Sequence, residues 1–307
     1  MIYTCSLTPS IDYTVYLPEF CAGALNRTQE VYYYPGGKGI NVSRVLKRLG
    51  EASVALGFTG GFTGEYITKF LKQEGIQTNF VQTSEITRIN VKIKADMESE
   101  LNGPGPHITV NQQNQLRTKL NDLNQGDWFV LAGSLPNKIS PDFYQSIAEA
   151  CMQKGARFVL DTSGPALKKL INARPFFIKP NIDELGELFH TTVTSTAQAC
   201  KLAKQLTETG IKHVIVSMGG DGAIYVSENE TIIAKAPNGH VVNTVGAGDS
   251  LVAGFITSFI QHHDPIQAFR FGVASGSATA FQPDLCIKED VMKLLDKVEI
   301  TPFKDRM

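Results

Sequence analysis

From about residue 127 onward, short apolar runs rich in β-branched and aromatic residues alternate with longer stretches of helical periodicity. Trp128-Phe129-Val130-Leu131 is followed by a helical pattern over 140–154, then by Arg157-Phe158-Val159-Leu160 and Phe176-Phe177-Ile178. A helix from about Asn181, another over 196–209 and the run His213-Val214-Ile215-Val216 come next. This alternation predicts βαβ units in a parallel sheet. Strand-like segments at 223–226 and 231–234 precede a mostly helical C-terminal part, where the strands are expected to run out.

The first hundred residues differ. β-prone pieces at 13–17, 31–34 and 89–93 flank an ordinary βα stretch, with a helix from near Lys38 and a strand at 54–58. They predict a small sheet from about 11–35 and 87–106, inserted discontinuously as a lid on one α/β unit spanning 1–307. Tyr32-Tyr33-Tyr34 suits packing at a sheet face or a subunit contact.

Composition narrows the class. The 307 residues carry 29 Lys+Arg against 30 Asp+Glu, a net charge of −1, which argues against a nucleic-acid partner. Hydrophobic residues at 42% and charged residues at 19% are enough for a large core and too little charge for a disordered chain. The 5 cysteines show no C-x-x-C spacing, so neither a zinc site nor a disulfide framework is expected. No window reaches the roughly 18 apolar residues of a membrane span, and the N-terminus lacks a basic, apolar leader pattern. The reading is a cytoplasmic protein without a membrane partner.

Several familiar motifs fail. A Walker A loop around Gly37-Lys38 would need glycine at 32 and Ser or Thr at 39, where Tyr32 and Gly39 stand. No G-x-G-x-x-G follows a predicted strand, and no G-x-S-x-G is present.

What remains is a series of polar or glycine-rich segments at predicted strand ends and helix starts. In Asn243-Thr244-Val245-Gly246-Ala247-Gly248-Asp249-Ser250, small residues open a helix with apolar positions 251, 252, 255, 256 and 259. Backbone N–H groups and the helix dipole there attract phosphate. A carboxylate at such a cradle repels phosphate unless it takes a proton from an attacking hydroxyl, so Asp249 reads as a general base or, more plainly, as a favourable first-turn acid. Gly36-Gly37-Lys38-Gly39-Ile40-Asn41 either binds a sugar hydroxyl or phosphate or simply starts a helix. Asp12 reads as a ligand-binding or a turn aspartate. Lys179-Pro180-Asn181 with Glu184 either forms a capping box or meets magnesium and nucleotide phosphates. Ser217-Met218-Gly219-Gly220-Asp221-Gly222 either wraps a nucleotide or turns a hairpin. Arg88 and Arg27 suit sugar phosphates as planar forks, or are solvated.

Together with Leu7-Thr8-Pro9-Ser10-Ile11-Asp12 and Gly133-Ser134-Leu135-Pro136, these segments resemble, in order and over nearly the whole chain, the ribokinase-like carbohydrate kinases of the phosphofructokinase B family. One departure is Thr8, where relatives often carry asparagine. The resemblance implies a doubly wound, mainly parallel α/β sheet with a small β-sheet lid. It implies Asp249 as catalytic base, with Gly246, Ala247 and Gly248 as the anion hole. It places Asp12, Arg27, Gly37, Lys38, Asn41, Arg88, Asn90 and Ser134 at the sugar phosphate. The nucleotide would meet Lys179, Asn181, Ser217, Gly219, Gly220, Asp221 and Gly222, and Glu184 would hold Mg²⁺ through water. ATP is the implied phosphoryl donor, and a homodimer clasped through the lid sheets the implied assembly. Within the family, residues 87–93 and 100–106 look most like 1-phosphofructokinases, which phosphorylate fructose 1-phosphate at the C6 hydroxyl. A tagatose-6-phosphate kinase is the alternative, and a sugar-phosphate sensor without turnover is the alternative outside enzymes.

Overall fold

The computed structural model describes residues 1–134, 136 and 139–303; Leu135 of the Gly133–Pro136 motif lies outside them. The chain opens with β1 (Ile2–Ser6), β2 (Ser10–Tyr16), β3 (Glu30–Gly36), α1 (Lys38–Arg48), β4 (Ser53–Gly60) and α2 (Gly61–Gln73). Short strands β5 (Gln77–Thr78) and β6 (Val81–Thr83) lead to β7 (Arg88–Lys94), β8 (Glu98–Asn102) and α3 (Val110–Lys119). The alternating part comprises β9 (Trp128–Ala132), α4 (Pro141–Gln153), β10 (Arg157–Asp161), α5 (Gly164–Leu170), β11 (Phe177–Ile178), α6 (Ile182–Phe189), α7 (Thr196–Glu208) and β12 (His213–Ser217). It closes with β13 (Ala223–Val226), β14 (Thr231–Lys235), α8 (Ala247–His262), α9 (Pro265–Ala280), α10 (Lys288–Leu295) and β15 (Glu299–Pro302).

The large sheet runs β15-β14-β13-β12-β11-β10-β9-β1-β4-β5, with β6 also paired to β4. It is parallel from β12 to β5 and antiparallel from β12 to β15. Why the apolar runs became central strands is plain in β9, whose residues are all buried. Phe129 and Leu131 enter one core with Ile147 of α4 and Leu206 of α7, while Trp128, Val130 and Ala132 enter the other with Val42 of α1 and Phe255 of α8. Helices on both faces thus bury every residue of the strand, at about 1.5–3 kcal/mol for each large side chain.

The small sheet has the order β3-β2-β7-β8. β2 and β7 pair in parallel with Asp12 opposite Asn90, which requires the intervening α1-β4-α2 crossover and explains its discontinuity in sequence. Asp12 therefore lies within a strand and not in a turn. The expectation that strands end at residue 234 is corrected by β15, which pairs antiparallel with β14 at the sheet edge. Its Pro302 is tolerated because an edge strand has one unpaired side.

Candidate active site

The parallel strands deliver their carboxyl ends to one place, as open α/β sheets do for ligand sites. Ser6 ends β1, Asp161 ends β10, Lys179 follows β11 and Ser217 ends β12. Two helices start there. Gly37 (φ 113°) caps α1, and Gly246 (φ 81°) caps α8. At both positions the positive φ favours glycine.

Asp249 sits in the first turn of α8, 5% exposed, and its Oδ2 accepts a hydrogen bond of 2.8 Å from Asn41 Nδ2 of α1. Burial, reinforced by the nearby Asp161 carboxylate, pushes its pKa up to about 6 from 3.8. Asp161 is fully buried, which raises its carboxyl, but Lys179 and Lys38 outweigh burial and hold it below the usual range. Its Oδ1 meets Lys38 Nζ at 3.1 Å and Lys179 Nζ at 3.3 Å. Lys38 is held strongly protonated, chiefly by Asp161. Two acids and two lysines thus form a balanced cluster in which one carboxylate is kept ionised and the other is poised near neutrality.

A polar cavity of about 540 Å³ opens over this cluster. Lys38, Asn41, Lys179 and Asp249 form its floor, with Gly37, Gly246 and Gly248 at the two helix starts. The small sheet forms another wall through Asp12, Arg88 and Asn90. Asp12 Oδ1 accepts from Ser10 Oγ at 2.8 Å and Asn90 Nδ2 at 3.0 Å, and Lys92 Nζ lies 3.6 Å from its Oδ2. Glycine at 36 leaves room for this arrangement, since a Cβ there would push the Asp12 carboxylate from its place. Arg88 donates to the Thr8 carbonyl at 3.2 Å, and its guanidinium pKa is lowered by burial against the opposing pull of Asp12. Arg88 Nε and Asn90 Oδ1 are buried without partners among the described residues, which suits groups awaiting a polar ligand. Ser134 also lines the cavity, its hydroxyl 2.8 Å from that of Thr8.

A second cavity of about 400 Å³, less polar, is lined by Ser217, Gly219, Gly220, Gly222, Thr244 and Ala247. Residues 218–222 turn the β12–β13 hairpin, as one of the two readings of that segment expected. The cavities share Gly248, where a Cβ would stand 3.1 Å from Lys179 Nζ. Asn181 and Glu184 form a complete capping box on α6, with Asn181 Oδ1 accepting from the Glu184 amide at 2.7 Å and Glu184 Oε2 from the Asn181 amide at 2.8 Å. Both residues also line the polar cavity.

Two expected residues are not brought in. Arg27 stands exposed on the segment between β2 and β3, and Asp221, exposed in the hairpin turn, lines neither cavity. Sequence reasoning missed Ser6, Ser163 and Glu100, which line the polar cavity, and Asp161, which is buried against the cavity-lining Lys38 and Lys179. Asp161 had a signal, an acid closing an apolar run just before Thr162-Ser163-Gly164-Pro165, a helix start.

The pfkB family of carbohydrate kinases matches residues 5–290. The chain belongs to that family. It is 50% identical over 301 residues to the 1-phosphofructokinase of Bacillus subtilis, covering 98% of this chain and 99% of that one. It is 33% identical to a tagatose-6-phosphate kinase of Staphylococcus epidermidis, over 92% of this chain and 93% of that one. The crystal structure of Escherichia coli phosphofructokinase-2 superposes with a TM-score of 0.91 at 30% identity, covering 96% of this chain and 98% of that one. This pfkB kinase therefore has the ribokinase-like plan of a large, mainly parallel sheet and a small separate sheet. Among the described residues no helix is long and apolar enough to cross a membrane.

Proposed function

We propose that this kinase transfers the γ-phosphoryl group of ATP to the C6 hydroxyl of fructose 1-phosphate, giving fructose 1,6-bisphosphate and ADP. The observation that carries the reading is the meeting of a polar cavity and a glycine-lined cavity at Gly248, beside the buried Asp249. The polar cavity suits the sugar phosphate and the other the nucleotide. Asp249 accepts the hydroxyl proton as the oxygen attacks phosphorus in line, the bond from phosphorus to the ADP oxygen breaks, and no covalent enzyme intermediate forms. Backbone N–H groups of Gly246 and Gly248 at the start of α8 face the charge on the transferred group, while the Ala247 N–H donates to the Thr244 carbonyl at 3.2 Å and would have to leave it to join them. Asn41 aims Asp249, while Asp12 and Asn90 hold sugar hydroxyls and Arg88 the phosphate already present.

Among the described residues there is no cluster of three or more His, Cys, Asp or Glu that could cage a metal. A single carboxylate, Glu184, at the rim of a polar cavity fits a hydrated Mg²⁺ carried mainly by substrate phosphates. Bound there, Mg²⁺ supplies positive charge to the phosphates, and Asn181 and Lys179 contact the same groups.

The whole chain is read as one domain with the small sheet as a lid that excludes water, paired with the lid of a second copy in a cytoplasmic homodimer. Exposed Val31, Tyr32, Tyr33 and Leu101 on the small sheet support that contact. Arg27, outside the cavity lining of its own chain, would reach a substrate phosphate only through such rearrangement or assembly.

The test is ADP release from Mg-ATP with fructose 1-phosphate, tagatose 6-phosphate, fructose 6-phosphate and fructose at matched concentrations. Preference for fructose 1-phosphate supports the reading. Preference for tagatose 6-phosphate keeps the catalytic roles and overturns the substrate. Binding of sugar phosphates without turnover would make the protein a sensor.

A further inference from the structure

Arg44 lies on α1 one turn beyond Asn41 and is 2% exposed, an unusual place for a guanidinium. It is fully engaged. Its Nε and Nη2 donate to the two carboxylate oxygens of Glu74 at 2.9 and 3.0 Å, and Nη2 also donates to Asp284 Oδ2 at 3.1 Å. Arg48, one turn further along α1, donates to the same two acids at 3.3 and 2.7 Å and to the Leu285 carbonyl. The Arg44 guanidinium also lies against two aromatic rings, 5.1 Å from Phe70 of α2 and 5.7 Å from Tyr34 of β3, which themselves meet edge to face at 6.2 Å. Tyr34 is the residue paired with Asp12 across β2 and β3.

The two acids lead to different places. Glu74 follows the C-terminus of α2, away from both cavities. Asp284 precedes Leu285, whose Cδ2 packs so closely on Gly246 that a Cβ there would overlap it. Gly246 caps α8 and begins the turn that holds Asp249, and the Gly246 carbonyl accepts from the Ser250 amide at 2.8 Å. A continuous set of contacts therefore runs from α1, which carries Asn41, through Arg44 and Arg48 to Asp284, Leu285 and Gly246. The Asn41–Asp249 hydrogen bond closes the ring.

We propose that Asp284 and Leu285, clamped by Arg44 and Arg48, are positioning residues that fix the Gly246 turn relative to α1 and so hold Asp249 and the anion-binding amides in reacting geometry. None of the four lines the polar or the glycine-lined cavity, although Arg44, Asp284 and Leu285 line a third one of about 430 Å³ beside Asp12 and Asn41; they act through Gly246 and Asn41. The claim that this alignment serves phosphoryl transfer rests on the function proposed above, whereas the claim that it orders the turn does not.

Replacing Arg44 would leave Glu74 and Asp284 to Arg48 alone and empty a buried position, which risks misfolding, so the informative comparison is Asp284→Asn against Glu74→Gln. Both weaken the same arginine cluster by one charge, and a purely structural cluster would respond alike to each. The first readout is hydrogen exchange of the amides of residues 247–250. Asp284→Asn and Leu285→Ala should speed exchange there at least tenfold, and Glu74→Gln less than twofold, at temperatures well below unfolding. The second is turnover with the preferred sugar phosphate. Asp284→Asn should lower kcat about tenfold with less than twofold change in sugar KM, Glu74→Gln should stay within twofold, and Asp284→Asn combined with Leu285→Ala should be no worse than the poorer single variant. Equal effects of the two acid variants on both readouts, or folded Asp284→Asn protein with unchanged exchange, would overturn the proposal. Should the unaltered protein turn over no sugar phosphate, the functional reading fails while the exchange comparison still decides the ordering of the turn.

Discussion

Replacing Asp249 by asparagine separates chemistry from folding. Asparagine keeps an oxygen for the 2.8 Å hydrogen bond from Asn41 Nδ2 and nearly the same volume in a site that is 5% exposed. Only the charge and the basic function are lost. Ionised Asp249 also weakens the fold. Its folded pKa of about 6 lies above the ordinary 3.8, so the native state holds the proton more tightly, and stability present below 3.8 is lost as pH rises to about 6. At about 1.4 kcal/mol per pH unit, that loss is about 3 kcal/mol at neutral pH. Asp249→Asn should therefore be at least as stable as the parent at pH 7, with an equal or higher unfolding midpoint in urea. Its kcat should fall by about 10²–10⁴, the usual worth of a positioned general base, with substrate KM within a few-fold. In the parent, Asp249 at a pKa of about 6 is mostly ionised at pH 7 and mostly protonated at pH 5, so kcat/KM should drop about tenfold between them. ADP release measured across that range, with circular dichroism to confirm folding, checks both. A folded variant that retains near-parental kcat would refute the base assignment, and a variant that unfolds at pH 7 would refute the stability argument.

Arg88→Ala should raise KM for the sugar phosphate about 10–100-fold, the worth of charge-assisted hydrogen bonds, while leaving kcat within a few-fold; an unchanged KM in the same assay would remove its phosphate-anchoring role. Gly246→Ala forces an L-residue to φ 81° and against Leu285, which should cost about 1–3 kcal/mol in urea unfolding; an unaltered midpoint would show that the turn relaxes freely. Asp161→Asn removes a negative charge beside Asp249 and releases Lys38 and Lys179 from their shared partner, so the pKa of Asp249 should fall and the acid limb of the kcat/KM profile should move to lower pH. A limb displaced upward would contradict the electrostatic account.

What was legible in the sequence follows from how locally each feature is encoded. The central strands β9, β10 and β12 are short apolar runs that must be buried on both faces, and the turns before α1 and α8 require glycines that no side chain replaces, so both could be read from neighbours alone. β15 was hidden for the opposite reason, and β8, though enclosed by the expected 87–106 bounds of the small sheet, carries no strand pattern of its own. Glu98-Ser99-Glu100-Leu101-Asn102 is almost wholly polar and is a strand because β7 offers it an edge, and β15 exists only because β14 lies beside it. Asp161 is one carboxylate after an apolar run, and its meaning depends on Lys38, 123 positions away, and on Lys179. Arg44 reads as an ordinary polar position on an amphipathic helix until Asp284, 240 positions distant, is brought against it. The residues proposed to touch substrate are therefore announced by their motifs, whereas those that set the charge and alignment of Asp249 are defined by tertiary contact alone. A motif can survive in sequence while its support is lost, so the state of Asp161, Arg44 and Asp284 is the sharper criterion for whether a relative with an intact Gly246–Asp249 turn remains a working kinase.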